Sequence, residues 1–193
     1  MKARQYTMTA RADAARETGE RIQAAAFALL STRYYDDVTL DAIASDAEVT
    51  VQTVIRRFGS KDGLVRALIS PVTSQVSAQR GDAPMGDIVG TVANLVEHYE
   101  RMGDLAMLLL RQEERVPPYA EATAVGKQFH SDWVRSVFSP WLDARIGVGR
   151  ERLHAQLLAM CDVFTWYLLR RQQGLSRRQT ELALTGLLKG VLS

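Results

Sequence analysis

The chain has 193 residues, 47% apolar and 24% charged, with a net charge of only +2, a balance that suits a folded globular protein and excludes a polycationic coat for nucleic acid. A single cysteine, Cys161, excludes an internal disulfide framework. The longest apolar run, Leu105 to Leu110, is far short of the roughly 20 residues a membrane span needs, so a cytoplasmic protein with no membrane partner is expected.

In chain order, residues 1–15 read as a flexible basic arm: Lys2, Arg4, Arg11 and, just beyond, Arg16 face one acid, Asp13. The arm is either a solvated tail or a contact for a duplex. Ile22, Ala25, Ala26, Leu29 and Leu30 then form one apolar helix face. From Thr39 to Leu64 three helix starts fall within a short stretch. Thr39 caps a run carrying Leu40, Ile43, Ala44 and Ala47, with Asp41 in its first turn. Thr50 caps a second run with Val54 and Phe58 one turn apart, stopped by Gly59, and Ser60 opens a third.

Two short helices joined by a tight turn, the second rich in Thr, Gln and Arg, are the sequence image of a helix-turn-helix. Val49, Val54 and Phe58 turn inward, which leaves Thr50, Val51, Gln52, Thr53, Arg56 and Arg57 facing elsewhere. Gln pairs bidentately with adenine, Arg with guanine, and Val or a Thr methyl touches thymine. Base reading is therefore expected from Thr50 to Thr53 and from Arg56. Thr39, Arg57 and Lys61 are expected on phosphates.

The stretch resembles the reading head of the tetracycline-repressor (TetR) family of transcription regulators, T-x-x-x-I-A-x-x-A-G-V-S-x-G-T-L-Y-x-Y-F-x-S-K-E-x-L. Thr39, Ile43, Ala44, Ala47, Val49, Thr53, Phe58, Ser60, Lys61 and Leu64 keep their places; Thr50, Val54 and Asp62 stand for Ser, Leu and Glu. The resemblance covers about residues 16–68. Glu48 replaces the turn glycine, where the chain needs positive φ, at a cost on the order of 1 kcal/mol. Gln52 and Ile55 replace the usual Gly and Tyr, and Arg57 supplies a charged fork for the phosphate that Ile55 gives up.

The rest of the chain predicts helices and no strand. A helix from Lys61 kinks or ends at Pro71, a candidate hinge; Gly81, Asp82 and Pro84 make the next break before a helix to about Met102. Gly103 and Asp104 start a short helix, Pro117 and Pro118 a longer one interrupted at Pro140, and the last two run from Gly149 to Gln173 and from Ser176 to Leu192. Ser176 with Gln179 makes a capping box. About nine helices result: an all-α chain with a three-helix reading domain over 1–68 and a helical domain over 69–193.

The resemblance implies that the second domain holds a small-molecule effector and dimerises through its last two helices. Leu157, Phe164 and Leu168, with Ala183, Gly186, Leu187 and Gly190 on a smooth neighbouring face, are the expected dimer interface. Tyr99, Met102, Phe129, Trp133 and Trp166 supply apolar walls for a pocket, and Arg111, Asp162 and Thr165 are polar groups in apolar surroundings that need partners. No catalytic residue, metal or cofactor is expected: His98, His130 and His154 stand apart, and no phosphate loop or nucleophile elbow occurs. The reading is a homodimeric, ligand-responsive repressor on a palindromic double-stranded operator. A non-specific architectural DNA binder is the alternative, and an enzyme in the second domain a weaker one.

Overall fold

Three hydroxyl caps divide the N-terminal part of the chain into short helices. The computed structural model describes the backbone of residues 2–193 and the side chains from residue 12, and among these residues it is helical with no strand. Helix α1 (Lys2–Leu30) leads through one tight turn at Tyr35–Asp37 to α2 (Leu40–Asp46), α3 (Val51–Phe58) and α4 (Lys61–Gly81). Thr39 Oγ1 accepts from the Ala42 N–H at 3.1 Å, Thr50 Oγ1 from Thr53 at 3.2 Å and Ser60 Oγ from Gly63 at 3.1 Å, each satisfying a donor that a helix start leaves free. Between α2 and α3, Glu48 has φ 53°, the left-handed conformation expected there. Helix α1 continues through the segment expected as a flexible arm, while the side chains of Lys2, Arg4 and Arg11 lie outside the described residues.

Ile22, Ala26, Ile43, Val54 and Leu64 are fully buried and form the core of this head. Burial of one such aliphatic side chain contributes roughly 1.5 to 3 kcal/mol. The head does not close on itself: Val116 and Tyr119 are buried in the same cluster, and Leu109 packs on it. Tyr119 meets Tyr35 edge-on at 5.5 Å, and the buried Gln112 accepts from the Tyr35 N–H at 2.9 Å.

The remaining helices are α5 (Ile88–Leu110), α6 (Pro117–Val137), α7 (Ser139–Leu142), α8 (Gly147–Met160), α9 (Val163–Tyr167) and α10 (Arg177–Leu192). Their core gathers Val92, Leu95, Phe138, Leu153, Trp166, Leu184 and Leu188. The capping box at Ser176 and Gln179 is present, and Gly174 turns the chain with φ 68°.

Three expectations about helix boundaries differ. Pro71 neither ends nor interrupts α4, which also runs through the boundary drawn at residue 68, because another side chain serves the acceptor the proline leaves free. Gly103 starts no helix and lies inside α5; its missing side chain makes room for the ring of Trp166, with which a Cβ would collide. The apolar run from Gly149 to Gln173 is two helices rather than one. Asp162 caps the second, accepting from the Phe164 N–H at 2.9 Å, and beyond α9 the backbone widens so that Gln173 N bonds Leu168 O at 2.9 Å.

Candidate nucleic-acid interface and the cavity behind it

Helix α3 buries Val54 and half-buries Phe58, which turns Gln52, Ile55, Arg56 and Arg57 outward. Val51 and Thr53 lie half-buried at its edge, and the exposed Thr50 hydroxyl stands 3.0 Å from that of Thr53. Arg56 makes no ion pair among the described residues, so its guanidinium is available to a guanine edge beside the amide of Gln52. Thr39 is exposed as the cap of α2. Arg57 lies across α1 on the buried Gly19, where a Cβ would strike the guanidinium, and reaches 5.9 Å from the Phe58 ring centroid.

Lys61, expected on a phosphate, is engaged within the protein. Its Nζ donates to Tyr35 O at 2.7 Å and Val38 O at 2.8 Å and sits 3.8 Å from the centre of the Tyr35 ring. Burial pushes its pKa down from the ordinary lysine value. The ammonium fastens the turn before α2 to the start of α4. The Tyr35 hydroxyl donates to Asp62, next to it.

Behind the head lies a cavity of about 460 Å³ bordered by α1, α4, α5, α6 and the α8–α9 junction. Tyr99, Met102, Phe129 and Asp162 line it, and so does Phe164, a residue also expected at the dimer interface. Arg111, Trp133, Thr165 and Trp166 do not. Arg111 points outward and donates to the Tyr167 hydroxyl at 2.9 Å. Thr165 donates to Ala159 O at 2.6 Å, closing the break between α8 and α9. Trp133 and Trp166 are core, their indoles donating to Arg80 O at 3.0 Å and Glu100 Oε1 at 3.2 Å.

Three polar residues of this wall carry no signal in the sequence pattern: Arg80, His98 and His130. Arg80 lies in the last turn of α4, a place where a surface cation is ordinary. Burial, and after it the charge of Arg80, pushes His98 down to about 3 and His130 down to about 4 from 6.5, so both imidazoles are neutral. Head and cavity share wall: Val65, Leu68 and Tyr119 belong to the head cluster and line the cavity.

Phe164 (56% exposed), Leu168 (46%), Leu182 (62%) and Leu187 (45%) are exposed apolar side chains on α9, the turn after it and α10. Gly186 and Gly190 lie exposed among them, with open space where a Cβ would stand, and Ala183 is half-buried. Leu157 is fully buried in the core and cannot be part of that surface.

The family model for bacterial regulatory proteins of the tetR family matches residues 22–68. YvkB of Bacillus subtilis (strain 168), an uncharacterized HTH-type transcriptional regulator, is 29% identical over 172 residues, covering 82% of this chain and 86% of its own length. A transcriptional regulator of Rhodococcus sp. Rha1 superposes with a TM-score of 0.70 at 18% identity, over 90% of this chain and 95% of its own. A Rhodococcus protein assigned to the TetR family of transcriptional regulators superposes with a TM-score of 0.64 at 13% identity, over 92% and 100%. Both structures share the fold. No described helix is long and apolar enough to cross a membrane.

Proposed function

We propose that this chain, a transcriptional regulator of the tetR family, is a homodimeric repressor that leaves its operator when a small molecule fills the cavity. Reading falls to Thr50, Val51, Gln52, Thr53 and Arg56, with Thr39 and Arg57 on the backbone of the duplex. Two heads related by a twofold axis require a palindromic site with half-sites one or more helical turns apart. The exposed surface of Phe164, Leu168, Leu182 and Leu187 around Gly186 and Gly190 is the face that a second copy covers. The chain acts in the cytoplasm, where buried Cys161 stays a thiol, and performs no catalysis.

The observation that carries this reading is the shared wall. A molecule in the cavity presses on Leu68 and Tyr119, which also hold the head together, so occupancy and head position share the same side chains. Domain 1–68 reads and domain 69–193 senses, with α4 continuous between them.

Selection of sites from a random duplex pool, then titration of the winner at several salt concentrations, tests it. A palindrome bound by a dimer supports the reading. Equal binding to every duplex with a steep salt slope turns the protein into a non-specific architectural binder.

A further inference from the structure

We propose that the cavity takes an amphipathic organic anion, an apolar body with one carboxylate-type head, and that Arg80 receives the head. The inference rests on reading the cavity as the effector site.

Arg80 is a buried cation without a counter-charge. Arg80 is only 2% exposed, and among the described residues no carboxylate lies within ion-pair distance of it. Its guanidinium carbon stands 3.8 Å from the centre of the Trp133 ring and 5.8 Å from that of Phe129, and one terminal nitrogen meets His130 Nδ1 at 3.3 Å. Its Nε is buried with no acceptor. Other arginines in this half of the protein are treated differently: Arg170 meets Glu100 at 2.8 Å and Arg171 meets Asp104 at 2.9 Å. An arginine stays protonated in proteins, and a desolvated charge without a counter-ion is costly, so its retention at a cavity wall points to a partner that arrives from outside. The ring faces of Trp133 and Phe129 offset part of that cost without satisfying the N–H groups.

The surroundings do not supply the missing charge. His98 and His130 are neutral, and the Tyr99 hydroxyl, which donates to Cys161 O at 2.9 Å and offers its oxygen to Arg80, brings no charge. Lys127, also on the wall, is held by Glu113 at 2.8 Å. Asp162 is turned to the Phe164 N–H and does not reach Arg80 within ion-pair distance. Away from Arg80 the wall is apolar through Met102, Leu105 and Leu109 to Leu68. The volume of about 460 Å³ lies inside the usual range for small-molecule sites, roughly 300 to 1,000 Å³. A carboxylate accepts two parallel bonds from a guanidinium fork, an alcohol cannot supply the charge, and an ammonium head meets repulsion.

The test is calorimetric titration of the full chain, without DNA, with decanoate, decanol and decyltrimethylammonium, and with 2-naphthoate against 2-naphthalenemethanol. Each carboxylate is expected to bind at least about tenfold more tightly than its alcohol, with the ammonium compound not binding. Arg80→Met should erase that ratio, Arg80→Lys should keep part of it, and the carboxylates alone should change the fluorescence of Trp133 beneath the guanidinium. Equal affinity of acid and alcohol overturns the assignment, as does an undiminished ratio in Arg80→Met or no binding by any of the five compounds. If Arg80→Met does not fold, the wild-type series and Arg80→Lys decide. Duplex release is measured separately: a carboxylate that binds through Arg80 yet leaves DNA affinity unchanged upholds the anion site and removes the repressor mechanism.

Discussion

Gln23 donates its side-chain amide to the carbonyl of Ala67 at 3.0 Å, the acceptor left without a helical donor by Pro71 four residues later. A proline inside a helix ordinarily costs about 3 kcal/mol, in part through that lost bond. Here a side chain of α1 replaces it, so α4 passes from head to cavity unbroken and α1 is tied to it at the proline.

Removing the donor should therefore matter only while the proline is present. Gln23→Ala is expected to lower stability by about 1 kcal/mol in the natural chain and by much less in a Pro71→Ala background, where the backbone N–H restored by that substitution takes the bond. Urea unfolding of the four proteins measures the coupling. Equal losses in both backgrounds mean that Gln23 does not compensate for Pro71. If Pro71 is the hinge for release, Pro71→Ala should also weaken the coupling between ligand and duplex binding.

Glu48→Gly relieves the left-handed strain at φ 53°. Its ion pair with Arg21, 3.8 Å long and exposed, contributes little to set against this. A gain of about 0.5 to 1 kcal/mol is expected, visible as a melting temperature a few degrees higher. A clear fall rejects the strain argument.

Lys61 and Arg56 should separate stability from reading. Lys61→Met removes bonds to two backbone carbonyls and should cost on the order of 2 kcal/mol in denaturant unfolding. Arg56→Ala should leave stability within about 0.5 kcal/mol while weakening binding to the selected duplex about tenfold or more. Interchanged results would restore Lys61 to the phosphate backbone.

Acid should destabilise the fold before its carboxylates titrate. Unfolded His98 and His130 take up protons below about pH 6.5, whereas the folded chain resists until about 3 and about 4. Stability is thus present above pH 6.5 and is lost as pH falls through that window, by about 2 kcal/mol per unit between about pH 6 and 4.5 for the two groups together. His98→Gln should make the slope shallower. A slope unchanged in that variant would assign the effect to other groups.

Gly186→Arg adds a side chain where the protomer leaves open space, so the fold should be kept. If α10 meets its counterpart there, size-exclusion chromatography should show a monomer and duplex affinity should fall. A variant that stays dimeric places the interface elsewhere.

The local signals were the legible ones. Thr39, Thr50, Ser60 and Ser176 cap their helices because hydroxyls at those points act within four residues, and Glu48 could be read as left-handed from the turn around it. What stayed hidden depended on distant partners. Gln23 answers Pro71 from another helix, and Trp166 fills the notch at Gly103 from far along the chain. Of the expected pocket residues, Tyr99, Met102, Phe129 and Asp162 were found at the wall, whereas Trp133 and Trp166 show that the same residue types serve a packed core. Arg80 had no signal, since its meaning lies in the absence of a nearby carboxylate.

Because Val116 and Tyr119 complete the core of the N-terminal head from some fifty residues beyond it, the head is not a cassette. A chimera that grafts residues 1–68 onto another helical body would carry an open seam, unless the recipient offers an apolar pair at the corresponding helix start. Variation that spares the seam is thereby confined to the outward face of α3, where exposed Gln52, Ile55 and Arg56 can change without disturbing what lies beneath.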